Sequence, residues 1–318
     1  MDPHLVWIRL NLPEEELGPL VKEFAGQAKF EQWNNPQGEP PWLDQVAVIY
    51  ARERFDEALL AKMPNLKWVH FSRAGVNAYI TPALKERPIQ VTSSIGIHGV
   101  ALAELGLACI FALATRLPEC WEAQKRKEWN TRIRTEQVEG KTLGIIGLGT
   151  IGTELARRAK GLGMRVIANK RTPGSKPDYV DELGTPEYLP KLLSQSDFVA
   201  ISIPSIPSCE RMLGEQEFRS MKKSAYLINL TGGRVPEERA LVKALRDGWI
   251  AGAVLNALPH QPLPKDSELW GLPNVTITPR LSGSGHRWDL LVPIFRENLK
   301  RFMSGDPLRN LVNKELGY

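Results

Sequence analysis

Apolar residues occur in short runs, Val46-Ala47-Val48-Ile49-Tyr50, Leu66-Lys67-Trp68-Val69-His70-Phe71 and Ile89-Gln90-Val91-Thr92, separated by stretches of helical spacing such as Phe55 to Met63. That alternation predicts βα units on a parallel sheet. Leu5-Val6-Trp7-Ile8 reads as the first strand. From Gly99 to Leu117, Ala and Leu recur at helical spacing with too few polar residues for a surface helix, which predicts a buried connecting helix. A second α/β series runs from Lys141 to about Pro279. Its strand candidates are Thr142 to Ile146, Met164 to Asn169, Phe198 to Ile203, Tyr226 to Asn229, Ala251 to Leu255 and Val275 to Thr278. Six strands suit a doubly wound sheet. Trp288 to Phe302 is an amphipathic helix, and 318 residues are enough for two domains.

Composition narrows the function classes. No segment approaches the roughly 18 uninterrupted apolar residues of a membrane helix. Met1-Asp2-Pro3-His4 lacks the basic start of a signal peptide, so a cytoplasmic protein is expected. Cys109, Cys120 and Cys209 are far apart and without metal-ligand spacing, which fits reduced structural thiols and suggests no metal site. The net charge of +5 has its densest cluster at Lys125-Arg126-Lys127, in a stretch that reads as helical and solvent-facing. No aromatic-rich motif accompanies it, so neither nucleic acid nor membrane is an expected partner.

The clearest chemical signal is Leu143-Gly144-Ile145-Ile146-Gly147-Leu148-Gly149-Thr150-Ile151-Gly152, a strand running into G-x-G-x-x-G and then a helix marked by Ile151, Leu155, Ala159 and Leu162. Gly147 would permit the tight turn, Gly149 close approach to a pyrophosphate, and Gly152 close helix–strand packing, while the helix N-terminus offers N–H groups to phosphate. A carboxylate binding the ribose 2′-OH is usual about 20 residues on. Here the second strand ends in Asn169-Lys170-Arg171-Thr172. Two cations and a hydroxyl suit a 2′-phosphate, so NADPH is expected in preference to NADH; the alternative is that Lys170 and Arg171 are solvated loop charges.

This glycine motif, together with Ala74-Gly75-Val76-Asn77 after a strand, Ala103-Glu104 in the connecting helix and the spacing of later segments, resembles the D-isomer-specific 2-hydroxyacid dehydrogenases over nearly the whole chain. The resemblance implies two Rossmann-like doubly wound domains. Residues 98–288 would form the NADP-binding domain, inserted into a flavodoxin-like substrate domain of residues 1–97 and 289–318, with the active cleft between them. It also implies a homodimer built through the cofactor domains and places Thr150, Ile151, Pro204 and Asn256 among the cofactor contacts.

The family's chemistry uses an arginine clamp and a histidine–glutamate pair, because the developing alkoxide needs both positive charge and a proton. The counterparts here are different residues. In Ile228-Asn229-Leu230-Thr231-Gly232-Gly233-Arg234, Gly232 takes the arginine's place. In Asn256-Ala257-Leu258-Pro259-His260-Gln261-Pro262, Gln261 stands for the glutamate and Asn256 for a nearby aspartate. In Thr278-Pro279-Arg280-Leu281-Ser282-Gly283, Arg280 takes the histidine's position. Glutamine does not titrate and an arginine guanidinium holds its proton, so the usual relay is lost.

The remaining catalytic candidates are Arg280, Gln261, Arg234, His98 and His260, of which the histidines are relocated proton donors or ordinary hydrogen-bonded residues. His4, His70 and His286 have no such support. Arg73, beside the Ala74-Gly75 loop that contacts the substrate carboxylate in the family, is a candidate for an anionic substrate; Arg73 and Arg234 also read as salt-bridging residues. Three functions remain open: an NADPH-dependent oxidoreductase with a non-standard site, acting on a small anionic carbonyl or hydroxyl compound; a catalytically degenerate NADP-binding sensor or scaffold; and a non-redox enzyme using the dinucleotide transiently.

Overall fold

The structure is a computed structural model, and it describes every residue except Met1, 34–37, 173, 205, 282–286 and 316–318. Ser282, Gly283 and His286 therefore lie outside the described residues. The chain divides into two compact units, Met1–Ile97 with Gly285–Tyr318, and His98–Ser284. The second crossing thus falls a few residues earlier than the expected 288/289 boundary.

The first unit runs β1 (His4–Arg9), α1 (Glu14–Glu23), β2 (Ala28–Gln32), β3 (Val46–Ala51), α2 (Glu57–Ala61), β4 (Trp68–Phe71), α3 (Pro82–Glu86) and β5 (Gln90–Ser93), closed by the C-terminal helix Trp288–Ser304. Its five strands are all parallel in the order β2-β1-β3-β4-β5, the flavodoxin-like winding. Both faces of the sheet are covered, so its inner strands, such as β3, are buried on both sides without alternation. Trp7, Ile49 and Val69 enter one core cluster, while Val6, Val48 and Trp68 enter another with Phe295 and Leu299 of the C-terminal helix. The Tyr50 and Phe295 rings stack 4.2 Å apart.

A polar chain runs through this core. Trp68 Nε1 donates to Thr92 Oγ1 (2.8 Å), His70 Nδ1 lies 2.7 Å from Thr92 Oγ1, and His70 Nε2 lies 3.0 Å from Ser94 Oγ. Because the indole can only donate, the Thr92 hydroxyl accepts from it and turns its own hydrogen to Nδ1, leaving Nε2–H to donate to Ser94. Burial holds the imidazole neutral, pushing its pKa down to about 3.

The second unit runs α4 (Gly99–Ala114), α5 (Leu117–Lys125), β6 (Thr142–Ile146), α6 (Thr150–Gly161), β7 (Arg165–Asn169), β8 (Glu182–Gly184), α7 (Leu189–Gln195), β9 (Phe198–Ile201), α8 (Glu215–Ser220), β10 (Tyr226–Asn229), α9 (Glu238–Arg246), β11 (Gly252–Leu255) and β12 (Val275–Ile277). The seven parallel strands lie in the order β12-β11-β10-β9-β6-β7-β8. The winding reverses at β6, the position at which doubly wound sheets bind ligands.

Several expectations are corrected. The sheet has seven strands, not six; Glu182–Gly184 pairs with β7 although its sequence carries no apolar run. In the first unit, Ala28–Gln32 likewise becomes an edge strand without an apolar run. The connecting helix ends at Ala114 rather than Leu117, because Arg116 adopts a left-handed conformation (φ 58°) and Leu117 opens α5. One face of α4 is buried through Leu102, Ala103, Ile110 and Leu113, but Val100 and Phe111 are exposed. The basic cluster leaves the helix at Lys125, with Lys127 at φ 58°. Cys109 is buried in one core cluster, half-buried Cys209 packs against another, and Cys120 is exposed. Among the described residues no single helix is long and apolar enough to cross a membrane.

The buried His70 makes stability pH-dependent. An unfolded imidazole titrates near pH 6.5, whereas the folded one stays neutral down to about pH 3. Between those values the unfolded state binds a proton that the folded state does not, so stability falls as pH drops through the window and is fully present above it. Urea unfolding between pH 4.5 and 7.5 should show His70→Gln with a pH slope shallower by up to about 1.4 kcal/mol per unit below pH 6. Equal slopes would mean that His70 is protonated in the folded protein.

Candidate functional site

The loop between β6 and α6 is built from three glycines whose physical demands differ. Gly147 has φ +98°, and a Cβ there would lie 2.2 Å from Ile203 Cγ2; a Cβ on Gly152 would lie 2.3 Å from the Gly147 carbonyl oxygen. Packing of the protein itself therefore requires both. At Gly149 a Cβ would meet nothing within 4 Å, and the backbone (φ −88°, ψ −160°) is open to any residue. The one glycine of the motif that the protein does not require faces open space beside the first turn of a twelve-residue helix. That is the cradle a pyrophosphate needs, with Thr150, Ile151 and Gly152 in the first helical turn.

Neighbouring strands hold the loop in place. Asn169 Oδ1 accepts from the Gly147 N–H (3.1 Å), and the Asn169 carbonyl accepts from the Leu148 N–H (3.0 Å). Ser202, just past β9, donates to the Gly147 carbonyl (2.6 Å). Asn169 is thus a buried brace of the glycine loop, while Lys170, Arg171 and Thr172 after it are exposed. Pro204 is exposed after β9.

The ends of β10, β11 and β12 form a second braced cluster. Asn229 Nδ2 donates to the carbonyls of Gly232 and Ala257 (3.0 Å each), and its Oδ1 accepts from the Gly232 N–H (3.1 Å). Gly232, at the expected clamp position, has no room for a side chain, because a Cβ would lie 2.6 Å from Val235 Cγ2 and 2.8 Å from Ile201 Cγ2. Gly233 is equally constrained, with the Leu258 carbonyl oxygen 2.6 Å from a Cβ. Arg234 lies past this turn, ion-paired with Glu210 (3.0 Å).

The structure brings Arg280 and Gln261 together. Arg280 Nη1 donates to Gln261 Oε1 (3.1 Å), and Gln261 Nε2 donates to the Leu258 carbonyl (2.9 Å). The two side chains expected in place of histidine and glutamate therefore touch, a guanidinium donating to a neutral amide. Arg280 is exposed and left-handed (φ 53°), a conformation that costs a non-glycine residue on the order of 1 kcal/mol. His260 is exposed beside Gln261, and half-buried His98 precedes α4 as its N-cap. Asn256, expected among the cofactor contacts, is buried with its carboxamide hydrogen-bonded to Leu230, Thr278 and Leu281.

In the first unit, Arg73 follows β4 and folds onto its own loop. Its Nε donates to the Gly75 carbonyl (3.1 Å), Nη1 bonds to Tyr79 Oη, and the guanidinium lies 4.3 Å over the Tyr79 ring. Ala74 is half-buried and Gly75 exposed, with nothing within 4 Å of its added Cβ.

Sequence reasoning missed the roles of Ser202, Asn229 and Thr278. The signal was present: apolar strands end in Asn169, Ser202, Asn229, Asn256 and Thr278, one polar residue at the carboxyl end of each.

Comparison with known proteins adds independent findings. The profile of the family described as D-isomer specific 2-hydroxyacid dehydrogenase, NAD binding domain, matches residues 107–282. A glyoxylate reductase of Thermococcus litoralis is 33% identical over 98% of this chain and 97% of its own length. One of Thermococcus gammatolerans is 35% identical over 98% and 96%. The crystal structure of a D-isomer specific 2-hydroxyacid dehydrogenase from Xanthobacter autotrophicus, in complex with NADPH and MES, superimposes with a TM-score of 0.86 at 26% identity, covering 100% of both chains.

The three glycines should separate on substitution. Gly149→Ala should change unfolding free energy by less than about 1 kcal/mol yet weaken NADPH binding at least about tenfold. Gly152→Ala should cost about 1–3 kcal/mol of stability through overpacking. Thermal melts and dinucleotide titration measure both, and unaltered NADPH affinity in Gly149→Ala would remove Gly149 from the phosphate site.

Proposed function

The chain belongs to the D-isomer specific 2-hydroxyacid dehydrogenase family and is an oxidoreductase of the CH–OH/C=O couple with an NAD(P)-binding domain; from that premise we propose that it reduces a small anionic 2-oxo acid with NADPH, using Arg280 as a permanent electrostatic stabiliser. The observation that carries this reading is the Arg280–Gln261 hydrogen bond, which keeps a cation at the histidine's position. Glyoxylate, named for the relatives 33% and 35% identical to this chain, is the first substrate to test.

Gly149 and the first turn of α6 would hold the pyrophosphate of NADPH, and Lys170, Arg171 and Thr172 would take its 2′-phosphate, where a carboxylate would repel it; the dinucleotide, when bound, would supply the hydride. Arg280, oriented by Gln261, lowers the energy of the oxygen as it gains negative charge. Neither Arg280 nor Gln261 stands in for a proton-donating histidine, and the product oxygen takes its proton from water or from a relocated group, His98 or His260. The absence of room at Gly232 favours a second reading, a cofactor-binding protein without turnover, because the usual clamp cannot be housed on this backbone.

We further assign a homodimer through α4, α5 and the loop after them, where Phe111, Trp121 (52% exposed) and Trp129 (94% exposed) present apolar surface. A cytoplasmic location accords with this chemistry.

NADPH absorbance against a panel of 2-oxo acids and aldehydes tests the activity. Turnover of glyoxylate is expected, with kcat lowered about 10²-fold in Arg280→Ala and no bell-shaped pH dependence near neutrality. Silence from the native protein despite tight NADPH binding would favour the cofactor-binding reading. Arg171→Ala should weaken NADPH about 10- to 100-fold and NADH by less than about threefold; equal weakening would overturn the 2′-phosphate assignment. Light scattering should find a dimer that Phe111→Glu with Trp121→Glu converts to monomer, and a monomeric native protein would refute the assembly.

A further inference from the structure

Asn256 follows β11 at 3% exposure, and its carboxamide makes four hydrogen bonds, the number its two donors and two acceptor positions allow. Oδ1 accepts from the Leu281 N–H (2.7 Å) and the Thr278 hydroxyl (2.8 Å). Nδ2 donates to the carbonyls of Leu230 (3.0 Å) and Leu281 (3.1 Å). A backbone N–H can only donate, so the Leu281 contact fixes which end of the amide is oxygen.

Three of these four bonds fall on residues 278 and 281, which flank Arg280. Arg280 turns its own N–H back to the Thr278 carbonyl (2.8 Å) and holds φ at 53°. A left-handed arginine persists only where its surroundings over-determine the turn, and the buried carboxamide does this from the sheet side. The fourth bond ties the same amide to Leu230, in the segment that carries Gly232.

We infer that Asn256 is the positioning residue for Arg280: its carboxamide sets the Thr278–Leu281 turn that presents the guanidinium to Gln261, and only an amide can do so. An aspartate, the residue that the family resemblance places here, has acceptors alone. Its carboxylate would face the Leu230 and Leu281 carbonyl oxygens, which repel it. Asn256 and Arg280 are therefore a matched pair, and neither substitution in the family pattern is independent of the other. The consequence for catalysis rests on the proposed role of Arg280; the positioning itself does not.

A double-mutant cycle with NADPH and glyoxylate tests the inference. At pH 8, Asn256→Asp should lower kcat/KM about 10- to 100-fold, mostly through kcat, and by less than about threefold in an Arg280→Ala background. Its activity should recover as pH falls and the carboxyl regains a proton to donate, a limb the native profile lacks. Thr278→Val, which removes one bond to Oδ1 with little change of shape, should show a smaller loss that also vanishes in Arg280→Ala, and it serves if Asn256→Asp does not fold. Additive losses, or an Asn256→Asp profile without the acid recovery, would overturn the inference. If glyoxylate is not reduced, or Arg280→Ala is as fast as the native protein, the catalytic reading fails alone. The crystal structure of Asn256→Asp at pH 8, or of Thr278→Val, then decides: loss of the left-handed Arg280 or of its bond to Gln261 upholds positioning, and an unchanged turn refutes it.

Discussion

Where a parallel strand ends, its backbone N–H and C=O groups lose their ladder partners, and in this chain a polar side chain takes over that pairing. Asn169 and Ser202 close the glycine loop, Asn229 fastens the turn at Gly232, and Asn256 with Thr278 fastens the turn at Arg280. Each of these turns leaves the sheet with several of its polar groups satisfied, so its geometry is set before any ligand arrives. The glycine loop and the turn that carries Arg280 both take their shape from this row of braces.

The row also explains how the family pattern has changed. Gly232 and Gly233 are pressed against Val235, Ile201 and Leu258, so the turn after β10 has closed over the space from which a side chain would project. Past β12, Arg280 donates from Nη1 to the neutral amide of Gln261. A guanidinium stabilises developing negative charge at every working pH but cannot deliver the proton that an imidazolium would.

The first unit shows the same economy with polar groups in its core. His70, Trp68, Thr92 and Ser94 are all buried and hydrogen-bond to one another, and burial keeps the imidazole neutral. Ser94 in turn donates its backbone N–H to the carbonyls of Phe71 and Arg73, so this buried chain reaches the start of the loop that carries Ala74 and Gly75.

The sequence by itself determined the α/β class, most strand positions and the dinucleotide motif, because fully buried parallel strands must be apolar runs and a phosphate turn must be glycine-rich. It also supplied the expected counterparts of the family's catalytic residues at 232, 261 and 280, since those depend on order along the chain alone. It could not reveal β2 or β8, edge strands whose short sequences carry no apolar run, or the break at Arg116, which rests on one left-handed residue. Only the tertiary structure decided that Gly149 is the glycine left free, that Gly232 has no space, that Arg280 reaches Gln261, and that the buried Asn256 carboxamide is hydrogen-bonded to residues 230, 278 and 281. Each of these is a question of which atoms, distant in sequence, come within a few ångströms of one another, and that is settled by the crossing of strands and loops, not by the identity of any single residue.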